Sequence, residues 1–226
     1  MRIGRVLITR EEIASRVREI ADQISADYAD SNPVLISLLK GGYVFLADLT
    51  RHITVPHEVD FITVHSYRNG TARSERIEIL NDLKRGVNDR DVIIVDGIID
   101  TGHTLSFLEQ MLEGRAVRSL RVCALLDKPS CREIPVPVHY VGFRVPDVFV
   151  VGYGLDFMER YRNLSYIAEL LPSPGIETAA GAETEASEPE SGVPSGAVER
   201  IAPFHGEAAE RAARQGASGA PPKHNS

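Results

Sequence analysis

Short runs of β-branched and aliphatic residues alternate with segments of helical periodicity along the first three-quarters of the chain, and this alternation leaves few folds open. "VLISLLK" (34–40), "HEVDFITVHSY" (57–67), "DVIIVD" (91–96) and "SLRVCALLDK" (119–128) read as strands, the first of them buried. Helical patterns stand between them at "YVFLADLTRHI" (43–53) and "HTLSFLEQMLEGR" (103–115). A further helix precedes them. Thr9 and Glu12 have capping-box spacing, and Ile13, Val17, Ile20 and Ile24 follow at helical intervals. "HYVGFRV" and "FVVGYG" add two short strands before a final segment "RYRNLSYIAEL". Residues 68–90, polar and turn-rich at their start, read as a flexible loop or hairpin. Strands alternating with helices imply an α/β fold with a mainly parallel central sheet flanked by helices. In such sheets ligands sit beyond the carboxyl ends of the strands. Three polar segments fall there: "LKGGY", "DGIIDTGHT" and "LDKPS".

Composition divides the chain in two. Residues 1–173 carry the apolar periodicity, whereas 174–226 are mainly Ala, Gly, Ser, Glu and Pro with one aromatic, Phe204. Such a stretch cannot bury enough apolar surface to offset the entropy of ordering it. It reads as an acidic disordered tail, with a weak helix at most over "GEAAERAARQG". No internal repeat appears. The net charge of −7 argues against a nucleic-acid binder. No apolar run is long enough to cross a bilayer and the N-terminus lacks a signal-peptide pattern, so a cytoplasmic protein without membrane contact is expected. Cys123 and Cys131 form no metal or disulfide pattern.

The chemistry concentrates at "DTGHT". Thr101 and Gly102 precede a helix that Thr104 helps to open, where free N–H groups and the helix dipole favour phosphate. Glycine allows close backbone approach, and two hydroxyls can donate further. The motif alone is equally compatible with a capped structural turn. Asp100 tilts the balance, because a carboxylate beside a bound phosphate is costly unless it acts on something else. The chain has neither a Walker lysine loop nor G-x-G-x-x-G.

"VIIVDGIIDTGHTL" resembles the 5-phosphoribosyl-1-pyrophosphate motif of type I phosphoribosyltransferases, and its Ile-Ile-Asp-Thr-Gly form resembles the hypoxanthine-guanine branch. The likeness extends through "LLKGGYVFLADL", "VDFITVHSY", "LLDK" and "YVGFRVPDVFVVGYGLDFMERYRNL". It implies the type I phosphoribosyltransferase fold, with a small hood region and a flexible loop. It also implies a reaction in which a 6-oxopurine, hypoxanthine or guanine, displaces pyrophosphate from 5-phosphoribosyl-1-pyrophosphate to give IMP or GMP in purine salvage. Asp100 matches the family's general base. Asp96, Asp100, Thr101, Gly102, His103 and Thr104 match the phosphoribosyl site, and Lys40, Gly41 and Arg162 the pyrophosphate site. Lys128 matches the lysine that donates to the 6-oxo group, and Phe149 the ring stacked on the base. Val150 and Asp156 complete the purine pocket, while Ser66 and Tyr67 match the lid. Mg²⁺ is the implied cofactor, served by Asp156 and Asp96. The family further implies a homodimer or homotetramer, and a cis peptide at Leu39–Lys40.

The likeness departs at Gly97. The family usually has a second acid there, addressing the ribose hydroxyls. A charge-assisted hydrogen bond contributes about 1.5–3 kcal/mol, or about ten- to a hundredfold in affinity. Restoring an aspartate at 97 is therefore expected to tighten phosphoribosyl pyrophosphate binding. The same glycine is compatible with a non-catalytic nucleotide sensor, and a xanthine-preferring transferase also stays open.

Overall fold

The run Asp91–Ile99 (β5) is buried on both faces from Val92 to Val95, as a central strand must be when helices cover both sides of a parallel sheet. It pairs in parallel with Val34–Leu39 (β2) on one side and Ser119–Asp127 (β6) on the other. The computed structural model describes residues 1–68, 75–172 and 198–201. Within them, β2 is followed outward by Glu58–Arg68 (β3), parallel, and Glu75–Asn81 (β4), antiparallel. Beyond β6 come Tyr140–Arg144 (β7), parallel, and Glu199–Arg200 (β10), antiparallel. The order β10-β7-β6-β5-β2-β3-β4 leads from β2 outward to β3 but from β5 the opposite way to β6. A crevice therefore opens between the carboxyl ends of β2 and β5, the usual ligand position in such a sheet.

Strand alternation sends successive side chains to opposite faces. Leu35, Ile93, Val95, Cys123 and Leu125 meet Arg10–Asp27 (α1) and Tyr43–Thr50 (α2) through Ile13, Val17, Ile20, Ile24, Phe45 and Leu49. On the other face Ile36, Ile94 and Val122 meet Leu105, Leu108 and Leu112 of His103–Glu113 (α3). Full burial of each such leucine contributes about 1.5–3 kcal/mol. The predicted capping box forms: Glu12 N–H donates to Thr9 Oγ1 at 3.3 Å, and Thr9 N–H to Glu12 Oε2 at 2.7 Å.

A second, antiparallel sheet joins Arg2–Ile8 (β1), Ile167–Leu171 (β9) and Val150–Val151 (β8) in the order β1-β9-β8. No strand was expected over residues 2–8. Only Ile8 among them is buried, so the strand owes its existence to backbone pairing with β9. Within residues 68–90, β4 pairs antiparallel with β3 as the hairpin reading expects, while the loop reading falls on 69–74, outside the described residues.

The tail also departs from expectation at one place. Val198 packs against the core, and Arg200 pairs with Glu19 of α1. Glu199 lies 3.7 Å from Arg144. The edge of β7 offers unpaired backbone groups, and the two-residue strand pairs with them beside these three side-chain contacts. Among the described residues no helix is long and apolar enough to cross a membrane.

Candidate active site

The loop after β2 lies close against β5. The Leu39–Lys40 peptide is cis, and Gly42 N–H returns to Leu38 O at 3.1 Å. The Gly41 carbonyl oxygen sits in a slot between two glycines: a Cβ placed at Gly97 or at Gly154 would stand 2.7 Å from it. The room for a second acid at Gly97 is thus already filled by backbone. The expectation that an aspartate restored there would bind ribose is corrected by this contact. Gly97 does not have the positive φ that would otherwise explain a glycine.

After β5 the chain turns at Gly102, with φ +93°, into α3. A Cβ at Gly102 would stand 2.5 Å from Ile134 O, so the turn requires glycine on both counts. No side chain caps α3, which leaves its first N–H groups without a side-chain acceptor, as a site for an anion needs. The segment after β6 braces this turn. Glu133 and Ile134 N–H donate to Thr101 O at 2.9 and 3.0 Å, Arg132 Nε donates to Asp100 O at 2.9 Å, and His103 Nε2 lies 2.8 Å from Glu133 Oε2. The Arg132 guanidinium also pairs with Asp127, which is 7% exposed.

Lys128 is only 6% exposed, with its N–H on Ile99 O at 3.0 Å. A solvated strand-end lysine would look otherwise. Phe149, in contrast, is 52% exposed and stands edge-on to Phe157 at 5.6 Å, leaving a ring face open to a planar ligand. Beyond it, left-handed backbone at Gly152, Tyr153 and Gly154 turns the chain towards Gly41, and Tyr153 OH donates to Asp48 of α2 at 2.6 Å. Arg162 donates to Gly154 O and pairs with Asp156 Oδ1, both at 2.8 Å.

These parts enclose a cavity of about 350 Å³ lined by Lys40, Gly41, Ile98, Asp100, Lys128, Phe149, Val150, Leu155, Asp156 and Arg162. Every residue expected to contact pyrophosphate or purine is among them. Thr101, Gly102, His103 and Thr104 form the adjoining turn, with Asp100 at its mouth. Asp96 stands behind Gly41 and accepts from Gly97 N–H at 2.7 Å. Burial pushes its carboxyl up to about 6, and hydrogen bonds from the Gly97 and Ile98 amides only partly offset this. Ser66 and Tyr67 lie near the end of β3, before Arg68; their side chains and residues 69–74 lie outside the described residues. Ile98, Leu155, Arg132 and Glu159 were not anticipated. Only Glu159 had a sequence signal, standing between Asp156 and Arg162 in "DFMERYR". Among the described residues no three carboxylate, His or Cys groups converge, so a Mg²⁺ here would draw most ligands from phosphate and water, as this ion usually does. Cys131 is held in its thiol form, up to about 11, chiefly by Asp147, with burial and Asp100 adding to it.

A parallel sheet with an uncapped helix start, a buried lysine and an open aromatic face around one crevice suits a ligand that joins an anionic group to a planar ring. Residues 8–158 match the phosphoribosyl transferase domain family, and the chain belongs to that family. It is 48% identical over 168 residues to the hypoxanthine phosphoribosyltransferase of Salmonella typhimurium, covering 74% of this chain and 94% of that one. It is 46% identical over 171 residues to the hypoxanthine-guanine phosphoribosyltransferase of Bacillus subtilis, covering 76% and 95%. The crystal structure of a Staphylococcus aureus hypoxanthine phosphoribosyltransferase superposes with a TM-score of 0.73 at 40% identity, covering 75% of this chain and 92% of that one.

Proposed function

We infer that the chain transfers the 5-phosphoribosyl group from 5-phosphoribosyl-1-pyrophosphate to hypoxanthine or guanine, giving IMP or GMP and pyrophosphate in purine salvage. The observation that carries this reading is the convergence of Lys40, Asp100, Lys128, Phe149 and Arg162 on one cavity. The uncapped start of α3, with Thr101 and Thr104, holds the 5′-phosphate. Lys128 donates to the 6-oxo group, which disfavours adenine, while Phe149 stacks on the base beside Val150. Asp100 accepts the proton leaving the purine ring nitrogen and faces the positive charge developing on the ribose. Lys40, the Gly41 backbone and Arg162 hold the departing pyrophosphate, on which negative charge grows. Asp96 serves the ribose side. The Asp156 carboxylate, and Asp96 behind Gly41, suit Mg²⁺ carried in with the diphosphate; the ion would supply charge neutralisation on the leaving group.

The reading places the protein in the cytoplasm as a homodimer or homotetramer. Val59 and Phe61 on one face of β3, and Leu80 on β4, are exposed apolar side chains suited to burial against a second copy; sedimentation of the full chain tests this. The function itself is tested by turnover with each base, phosphoribosyl pyrophosphate and Mg²⁺. IMP and GMP formation is expected. Binding without turnover would favour a sensor, and XMP as the main product a xanthine enzyme.

A further inference from the structure

The two cations assigned to pyrophosphate share one carboxylate. Lys40 Nζ lies 2.9 Å from Glu159 Oε2, and an Arg162 terminal nitrogen lies 3.3 Å from Glu159 Oε1. Glu159 is set in place by its own backbone: at φ +61° its N–H donates to Asp156 Oδ2 at 2.8 Å. One carboxylate thereby links the loop after β2 to the loop after β8, with an oxygen on each cation. Two anionic oxygens between a lysine and an arginine are also what a diphosphate presents, and such charge-assisted contacts cannot serve both anions together.

We propose that Glu159 is an internal stand-in for pyrophosphate, which neutralises Lys40 and Arg162 in the empty site and must withdraw from both before a diphosphate binds. The proposal rests on the reading of Lys40 and Arg162 as pyrophosphate ligands. Glu159 and Lys40 are exposed by 65% and 63%, so water screens the contact and competition amounts to a factor of about 2–10 rather than a block. Arg162 keeps its contacts to Gly154 O and Asp156, so it stays oriented when Glu159 loses its charge. A merely structural Glu159, needed to orient Lys40, would give the opposite sign: its loss would weaken diphosphate binding.

The test is calorimetric titration of the full chain with pyrophosphate and Mg²⁺, for wild type, Glu159→Gln, Glu159→Asp and Lys40→Met. Glu159→Gln is expected to lower Kd about 2–10-fold, Glu159→Asp to fall between it and wild type, and the gap to narrow at high salt. Lys40→Met is expected to raise Kd severalfold. An unchanged Kd in Lys40→Met would sink the ligand assignment beneath the proposal. A raised Kd in Lys40→Met with an unchanged or weaker Glu159→Gln would overturn the stand-in role alone.

Discussion

A methyl group at Gly97 is the sharpest perturbation the structure offers. Its Cβ would stand 2.7 Å from the Gly41 carbonyl oxygen and 3.1 Å from Leu155 Cδ2, where a carbon and a carbonyl oxygen normally keep about 3.3–3.6 Å. The neighbour is backbone, so relief requires the Lys40–Gly42 loop to move outward by about 0.6 Å or more. Overpacking of this kind costs about 1–3 kcal/mol. In a chain of this length that is a fall in Tm of about 2–12 °C. Because the displaced loop carries Lys40 and Gly41, KM for phosphoribosyl pyrophosphate should rise about 3–30-fold in Gly97→Ala, since misplacing a binding loop by a fraction of an ångström weakens each contact it makes. Gly97→Asp should be worse than Gly97→Ala, because it adds a second carboxylate beside Asp96, whose own charge is already disfavoured by burial. Thermal melts and steady-state kinetics on both variants decide it. Wild-type Tm and KM in Gly97→Ala would show that the loop does not rest on Gly97. A lowered KM in Gly97→Asp would restore the ribose-contact expectation.

Asp96→Asn should stabilise the substrate-free protein. Its carboxyl rises from 3.8 to about 6 on folding, so the charge destabilises the fold increasingly as pH climbs from about 4 to 6 and fully above it. Two units correspond to at most about 3 kcal/mol; denaturant melts without Mg²⁺ should show the gain at pH 7.5 and none at pH 4, and a destabilised variant at pH 7.5 would refute it. Arg132→Met should leave Asp127 with only the longer Arg144 contact at 4.0 Å and free the Asp100 carbonyl, costing about 1.5–3 kcal/mol and lowering kcat/KM by about 10²-fold through a displaced turn, with Arg132→Lys intermediate; equal kinetics in all three proteins would remove the brace from the account. Ending the chain at Pro172 should lower Tm by about 2–8 °C through loss of the Val198 packing and the Arg200–Glu19 pair. Turnover should stay within about twofold, as β10 adds to a sheet edge rather than to the cavity; an unchanged Tm would mean the strand contributes nothing.

The parallel sheet was legible because β2, β5 and β6 carry their own signal, apolar runs ending in polar turns. The crevice followed from them, and so did its lining, through motifs that specify side chains at strand ends. β1 was not legible. Its residues are mostly exposed, and it exists through pairing with β9 from the far end of the domain, which no local pattern encodes. The tail strand was hidden for a related reason: an average over fifty residues of Ala, Gly and Glu conceals one valine that finds an open edge. The role of Gly97 was misjudged because sequence records a missing side chain but not the Gly41 carbonyl that occupies its place. Glu159 and Arg132 act between loops that are distant in sequence, so their partners emerge only in three dimensions.

Asp100 carries the central claim, that a carboxylate at the mouth of an anion-binding turn removes the purine proton. Asp100→Asn preserves shape and the carbonyl held by Arg132 while abolishing the base. The decisive measurement is kcat for hypoxanthine with saturating phosphoribosyl pyrophosphate and Mg²⁺, alongside Kd for IMP. The account predicts a fall in kcat of about 10²–10⁴ with Kd for IMP within about threefold of wild type, and a wild-type kcat in the variant would contradict it.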